Sequence, residues 1–231
     1  MVSVVFIEKH LVFVLTMSKK NINIYYSEMT YKVKVSMIGN YAVGKSSILN
    51  VLNNKKEYCT QSTLGVDFFY KHFLINDEEF KLHIWDTAGQ ERFRSIVRSY
   101  FRDLDVVVLV IDVTDIYSLD QIEKWDTDLE YINKNENIIK ILVGNKIDSP
   151  NRCIDKIDAE EKSIQYGYKY FETSCKEYET IHKLFDSIVE IVYQQKIDKK
   201  INLKKTIDSQ DKKKIINSQI KKKKKPWCVI L

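Results

Sequence analysis

From Tyr31 onward, short apolar runs alternate with longer stretches in which apolar residues recur every three or four positions. That alternation predicts a mostly parallel sheet with helices on both faces. The first run is Val33 to Ile38, and Lys45 to Leu52 opens the first helix. Asp67 to Ile75 and Phe80 to Trp85 flank Asn76-Asp77, so they read as an antiparallel hairpin. Val106 to Asp112 and Ile138 to Gly144 are continuously apolar, the composition of central strands covered on both sides. A last strand is expected at Lys169 to Glu172, with helices near Arg92 to Arg102, Ser118 to Asn133, Ala159 to Tyr166 and Thr180 to Gln195. The expected fold class is therefore α/β with six strands.

The ends of the chain read differently. Met1 to Leu15 is apolar, but Glu8-Lys9-His10 interrupts it, it lacks a basic start, and it is too short to span a membrane. Residues 1–29 are therefore expected to be an extension that is disordered or lies upstream of the true start, since Met17 and Met29 both precede the first strand. Residues 30–195 carry the domain, and beyond Gln195 the apolar period fades, so 196–231 is expected to be a flexible tail. At 231 residues, 44% of them hydrophobic, the chain can build one core.

Charge sharpens this division. The net charge is +5, yet residues 196–231 hold 13 Lys against 3 Asp, which leaves residues 1–195 net acidic. A basic tail on an acidic domain, without interleaved aromatics, points to an anionic membrane surface and argues against nucleic acid. Cys59, Cys153, Cys175 and Cys228 form no C-x-x-C pair and have no histidine at ligand spacing, so neither a disulfide framework nor a zinc site is indicated.

Four stretches then supply chemistry in one order. Gly39-Asn40-Tyr41-Ala42-Val43-Gly44-Lys45-Ser46 fits a phosphate-binding loop, in which backbone N–H groups cradle phosphates at a helix N-terminus and the lysine reaches the outer oxygens. Thr63 and Asp86-Thr87-Ala88-Gly89-Gln90 follow. Asn145-Lys146-Ile147-Asp148 makes the base guanine, because a fixed carboxylate accepts from both N1–H and N2–H, a donor pair that adenine lacks. Each stretch alone has a plainer reading, Asp86 as a strand-end cap and Ser46 as an ordinary helix residue. In this order they predict a guanine-nucleotide pocket at the carboxyl ends of the strands, where open α/β sheets bind ligands.

With Leu64-Gly65-Val66-Asp67-Phe68, Lys81-Leu82-His83-Ile84-Trp85 and Tyr100-Phe101-Arg102 added, residues 31 to about 195 resemble a small GTPase of the Ras superfamily, specifically a Rab. The resemblance implies a P-loop small G domain that cycles between GTP and GDP with Mg²⁺. It assigns Gly39 through Ser47 to the phosphates, with Lys45 on the β and γ oxygens. Ser46 and Thr63 would ligate the metal, and Asp86 would hold it through water. Gly89 would meet the γ-phosphate, and Gln90 would orient the attacking water of a slow hydrolysis that a partner's arginine accelerates. Glu172-Thr173-Ser174-Cys175-Lys176 resembles the fifth guanine motif, with Cys175 in place of the usual alanine, which backbone recognition of the base should tolerate. Phe68, Trp85 and Tyr100 match the aromatic triad of the effector surface, although aromatics of this kind are often only core. Gly144 to Asp148 followed by Asn151-Arg152 resembles the Rab subgroup numbered eighteen.

The family pattern is broken in three places. Tyr41 stands where Rabs carry a small residue, beside the expected meeting point of γ-phosphate and activator arginine. The segment from Ser46 to Thr63 is one residue short, which makes Tyr58 the candidate to pack on the guanine edge. Arg102-Asp103-Leu104 replaces the usual Arg-Gly-Ala. At the C-terminus, Cys228-Val229-Ile230-Leu231 is a C-a-a-X end that favours geranylgeranyl on Cys228, and Lys221 to Lys225 would add the second membrane signal. The expected protein is a monomeric switch on the cytoplasmic face of intracellular membranes, with a cytosolic pool. Its expected partners are an exchange factor, a GTPase-activating protein, a GDP-dissociation inhibitor or escort protein, and effectors.

Overall fold

The structure, a computed structural model, describes residues 30–54, 63, 65–87, 100–133, 135 and 137–199, and the backbone of 2–8, 11–17 and 22–28. In chain order its elements are β1 (Val2–Glu8), β2 (Leu11–Met17), β3 (Ile22–Glu28), β4 (Thr30–Ile38), α1 (Lys45–Leu52), β5 (Val66–Ile75), β6 (Glu78–Thr87) and β7 (Val106–Asp112). After these come α2 (Ile116–Asp120), α3 (Ile122–Ile132), β8 (Ile139–Asn145), α4 (Lys156–Gln165), β9 (Lys169–Thr173) and α5 (178–199). The chain divides into two compact units, Met1–Val189 and Glu190–Leu231.

The main sheet has the order β5-β6-β4-β7-β8-β9, and every pairing in it is parallel except β5 with β6. That hairpin turns at Asn76 (φ 48°) and Asp77 (φ 62°), two short polar residues that tolerate the left-handed conformation of a tight two-residue turn. All seven residues of β7 are buried, as a central strand covered on both faces requires. Val107, Leu109 and Ile111 join Ile122, Trp125, Leu129 and Ala159 in one cluster, which places α3 and α4 over that face. Val106, Val108 and Val110 alternate with them and are buried on the opposite side, so the sheet is the middle layer. The six-stranded α/β architecture follows the expectation from the hydrophobic pattern.

Differences are local. The single helix expected over Ser118 to Asn133 is two, because Asp115 accepts from the Tyr117 N–H and starts α2 early, at Ile116, and the chain turns again at Gln121. The helix expected at Ala159 begins three residues sooner, at Lys156. In the N-terminal extension, β1, β2 and β3 pair as an antiparallel three-stranded sheet, Val2 opposite Met17 and Leu11 opposite Glu28. Runs such as Val-Ser-Val-Val-Phe-Ile are rich in β-branched and aromatic residues, and that composition suits a pleated strand. The helix expected at Arg92 to Arg102 falls mostly outside the described residues.

Candidate nucleotide site

The loop from Gly39 to Gly44 joins buried β4 to α1, and two glycines shape it. A Cβ on Gly39 (φ 135°) would lie 2.3 Å from the Val110 carbonyl oxygen, and one on Gly44 (φ 101°) would lie 2.2 Å from Asn145 Nδ2. The loop is thus pressed against β7 on one side and against the end of β8 on the other. Ala42 also takes the left-handed conformation (φ 60°), at a cost of about 1 kcal/mol for a residue with a Cβ. Lys45 curls back over the loop, its Nζ donating to the Gly39 carbonyl at 2.9 Å and the Asn40 carbonyl at 2.8 Å. Burial lowers its ammonium to about 8, against the opposing pull of Asp86.

Three oxygens converge beside it. Asp86, at the end of β6 and 1% exposed, accepts from the Ser46 hydroxyl, and that hydroxyl lies 2.9 Å from Thr63 Oγ1. Asp86 Oδ1 is buried with no hydrogen-bond partner among the described residues. Burial pushes the Asp86 carboxyl above the usual carboxylate range, opposed by the Ser46 hydrogen bond and by Lys45. Two hydroxyls and one carboxylate, one oxygen of which is orphaned, are a hard-oxygen set, so the residues present fit Mg²⁺.

The other half of the site is held by polar clips. Asn145 Nδ2 donates to the Val43 carbonyl at 2.8 Å, and Asn145 Oδ1 accepts from Thr173 at 3.1 Å, so one side chain ties together the phosphate loop, β8 and β9. Lys146 sits at φ 68°, and its ammonium pairs with Asp112 at the end of β7. Asp148 accepts from Ser174 Oγ at 2.6 Å and pairs with Lys176 at 2.7 Å, and these two partners hold its carboxyl below the usual range. Arg152 bonds Glu172, which also accepts from the Tyr170 hydroxyl at 3.0 Å, linking the loop after β8 to β9. Cys175 is half-buried, and burial pushes its thiol up to about 11, which leaves it inert at neutral pH.

Between the two halves lies a cavity of about 400 Å³. Ala42, Gly44 and Ser47 line it from the phosphate side, and Asn145, Lys146, Asp148, Cys175 and Lys176 from the other. Tyr41 lies on the phosphate loop with 60% of its surface exposed. The aromatic trio is contiguous, Phe68 lying 5.5 Å from Trp85 and Trp85 lying 6.5 Å from Tyr100 between ring centroids, with Phe68 52% exposed. Tyr58, Gly89, Gln90, Lys221 to Lys225 and Cys228 lie outside the described residues.

Asp112 and Trp125 belong to the site's framework without having been expected there, while Thr173 and Arg152, quoted in the sequence motifs, prove to tie β8 and the loop after it to β9. Asp112 carried a usable signal, since it ends an apolar strand as Asp86 does. Trp125, 6% exposed within the α3 cluster, donates from Nε1 to Asn40 Oδ1 at 3.1 Å across 85 positions of sequence, and no local pattern announces that bond.

Comparison with known proteins shows the family. The family model described as "Ras family" matches residues 34–194. The "Ras-related protein Rab-18" of Caenorhabditis briggsae is 36% identical over 163 residues, 70% of this chain and 81% of its own length. The "Ras-related protein RABE1d" of Arabidopsis thaliana is 37% identical over 174 residues, 73% of this chain and 79% of its own. "Ras-related protein Rab-18-B" of Danio rerio is 37% identical over 163 residues, 70% and 80% of the two chains. Identity differs by only one percentage point across these differently named Rabs, so it singles out no subgroup.

Proposed function

The chain belongs to the Ras family, among the Rab small GTPases that bind GTP and GDP with Mg²⁺ and hydrolyse GTP, and from that premise we propose that it is a slowly hydrolysing, prenyl-anchored switch. The observation that carries the reading is the cavity that the phosphate loop and the Asn145 to Asp148 loop line together. A phosphate loop alone would accept any nucleotide, whereas a carboxylate at the far wall selects guanine.

In this reading the Lys45 ammonium leaves the Gly39 and Asn40 carbonyls for phosphate oxygens, exchanging neutral acceptors for charged ones. Ser46 and Thr63 would ligate Mg²⁺ and Asp86 would hold it through water, and the ion would draw negative charge off the phosphoryl group being transferred. Asp148, already fixed by Ser174 and Lys176, keeps lone pairs for the guanine N–H donors. Tyr58 packs on the edge of the base. Gln90 orients the attacking water and Gly89 reads the γ-phosphate, so loss of that phosphate releases the segments around Thr63 and Gln90 and changes the surface beside Phe68, Trp85 and Tyr100.

Rabs in general direct vesicle traffic on membranes through exchange factors, activating proteins, GDP-dissociation inhibitors and effectors. No helix among the described residues is long and apolar enough to cross a membrane. Geranylgeranyl on Cys228 with Lys221 to Lys225 beside it is our reading of how this chain is held on a cytoplasmic surface. A second reading, a GTP-loaded scaffold that scarcely hydrolyses, is favoured by exposed Tyr41, which crowds the approach of an activator's arginine.

Single-turnover hydrolysis of GTP by the full chain with Mg²⁺, with and without a Rab-activating domain, separates the two. Accelerated turnover that Gln90→Leu abolishes is the result expected of the switch. Tight binding without turnover, restored by Tyr41→Ser, would replace it with the scaffold.

A further inference from the structure

Among the described residues, the β5-β6-β4 part of the sheet has one face that is exposed or half-buried except at buried Ser36, and its register arranges that face in rows. Phe68, Trp85 and Ser36 align across the three strands, then Tyr70, His83 and Lys34, then His72, Lys81 and Lys32, then Leu74, Glu79 and Thr30. Residues opposed in register share a face. Phe68, Tyr70 and Leu74 are 52%, 58% and 71% exposed, and Lys32 and Lys34 are exposed beside them. Beyond its aromatic end, the face is therefore cationic.

The only carboxylate in these rows is already engaged. Glu79 accepts from Thr30 Oγ1 and from His72 Nδ1, the latter at 2.7 Å. At the flank, the Asp105 carboxylate accepts from the Lys34 backbone N–H at 2.8 Å. Lys81 lies 4.6 Å from the Tyr70 ring centroid, and Lys32 stands opposite it on the next strand. His83 packs edge-on to Phe68 at 5.6 Å, and its buried Nε2 has no partner among the described residues. Its imidazolium is disfavoured first by burial and then by Lys81, Lys32 and His72, so the positive field is felt inside the patch itself. All this sits on a domain whose residues 1–195 are net acidic.

We propose that this face receives an acidic amphipathic helix of a partner protein, its apolar anchor against Phe68 and Trp85 and its carboxylates over Lys81, Lys32 and Lys34. The spacing suits a helix. Lysines on neighbouring strands are about 5 Å apart and successive ones on a strand about 7 Å, while carboxylates at i and i+4 of a helix stand about 5–6 Å apart. Charge of opposite sign steers the encounter and rejects basic competitors, while the aromatics supply the buried anchor. The inference rests on the switch reading for its link to nucleotide, because β6 runs from these rows directly into Asp86. It goes beyond that reading in naming the chemistry of the partner and in extending the surface past the aromatic trio onto β4.

The test pans a random peptide library displayed on phage against the full chain loaded with a non-hydrolysable GTP analogue, and measures binding of the selected peptides by fluorescence polarisation. The expected winners are acidic with one or two apolar anchors. They should bind about tenfold more weakly to Lys32→Glu/Lys34→Glu/Lys81→Glu, less weakly to the matching Lys→Gln variant, and progressively worse as salt rises. Neutral or basic winners, or acidic ones indifferent to both triple variants, overturn the proposal. So does loss of binding to phosphatidylserine vesicles in the Lys→Glu variant with peptide binding unchanged, which would make the face a lipid contact. GDP uptake, measured on every variant, keeps the two readings apart. An unaltered chain that takes up no guanine nucleotide sinks the switch, whereas a loaded chain that selects no acidic peptide sinks only this surface.

Discussion

The two halves of the cavity are built on opposite electrostatic terms. On the phosphate side, charged groups are buried and poorly served: Lys45 has its ammonium lowered to about 8, the Asp86 carboxyl is raised, and Asp86 Oδ1 has no partner among the described residues. On the base side the charges are paired and partly solvated, Asp148 with Ser174 and Lys176, Lys146 with Asp112, and Arg152 with Glu172. One half carries a desolvation cost that a ligand relieves, and the other is organised before anything arrives. Nucleotide affinity should therefore come chiefly from the phosphate side, and selectivity from the base side.

The largest test of that contrast is Lys45→Ala. Charged hydrogen bonds to two phosphates are lost, so affinity for fluorescent GDP should fall on the order of a hundredfold or more in an equilibrium titration. The same lysine gives a pH signature in the nucleotide-free chain. Its folded pKa of about 8 lies below the ordinary lysine value of 10.5, so between those values the folded state sheds the proton first and stability rises with pH. Melting curves of Lys45→Met should lack that rise.

Next in size is Asp86→Asn, which separates stability from function. Because the folded carboxyl is raised by burial, the folded chain holds that proton more tightly than the unfolded one, and the cost of the charge is fully present once pH exceeds the folded value. Removing the charge should raise the melting temperature of the chain stripped of nucleotide and metal by about 2–4 °C for each kcal/mol relieved. The gap to the unaltered chain should close as pH falls into the carboxylate range. Magnesium-dependent nucleotide binding should weaken in the same variant. A gap of constant size would mean that burial of Asp86 is not what strains this half.

Smaller effects are expected on the base side. Arg152→Gln and Glu172→Gln each open a partly solvated pair, and GDP should dissociate about two- to fivefold faster in either, with the double variant no worse than the singles. An increase as large as that from Lys45→Ala would contradict the contrast. Smallest is Trp125→Phe, which keeps the ring in the α3 cluster but deletes one hydrogen bond to Asn40. It should lower stability by about 1 kcal/mol, read as a shift in the denaturation midpoint, with guanine selectivity unchanged.

Much of this molecule is legible in its order of residues. The continuous apolar runs place β7 and β8, because a strand buried on both faces must be apolar along its length, and β7 matches residue for residue; the β5-β6 hairpin is legible instead from the Asn76-Asp77 turn between two strand-like stretches. In the proposed reading, the glycines, Lys45, Ser46, Asp86 and Asp148 are legible for a related reason: phosphate, metal and guanine would each demand particular atoms at short range, and short range in the chain preserves such groups as motifs. What sequence did not announce is what joins distant segments. Asn145 reaching Val43, Thr173 closing on Asn145, and Trp125 reaching Asn40 span 102, 28 and 85 positions. Nor did it announce the cationic face, where Lys32, Lys81 and His72 become neighbours only because two strand registers bring them into one row. Sequence alone determined the strands of the main sheet, most of the described helices and the chemical groups, since these depend on local periodicity and on residue type. Which side chains clip the loops together, and whether a buried charge finds a partner, was decided by the tertiary structure, because both depend on distances that only packing sets.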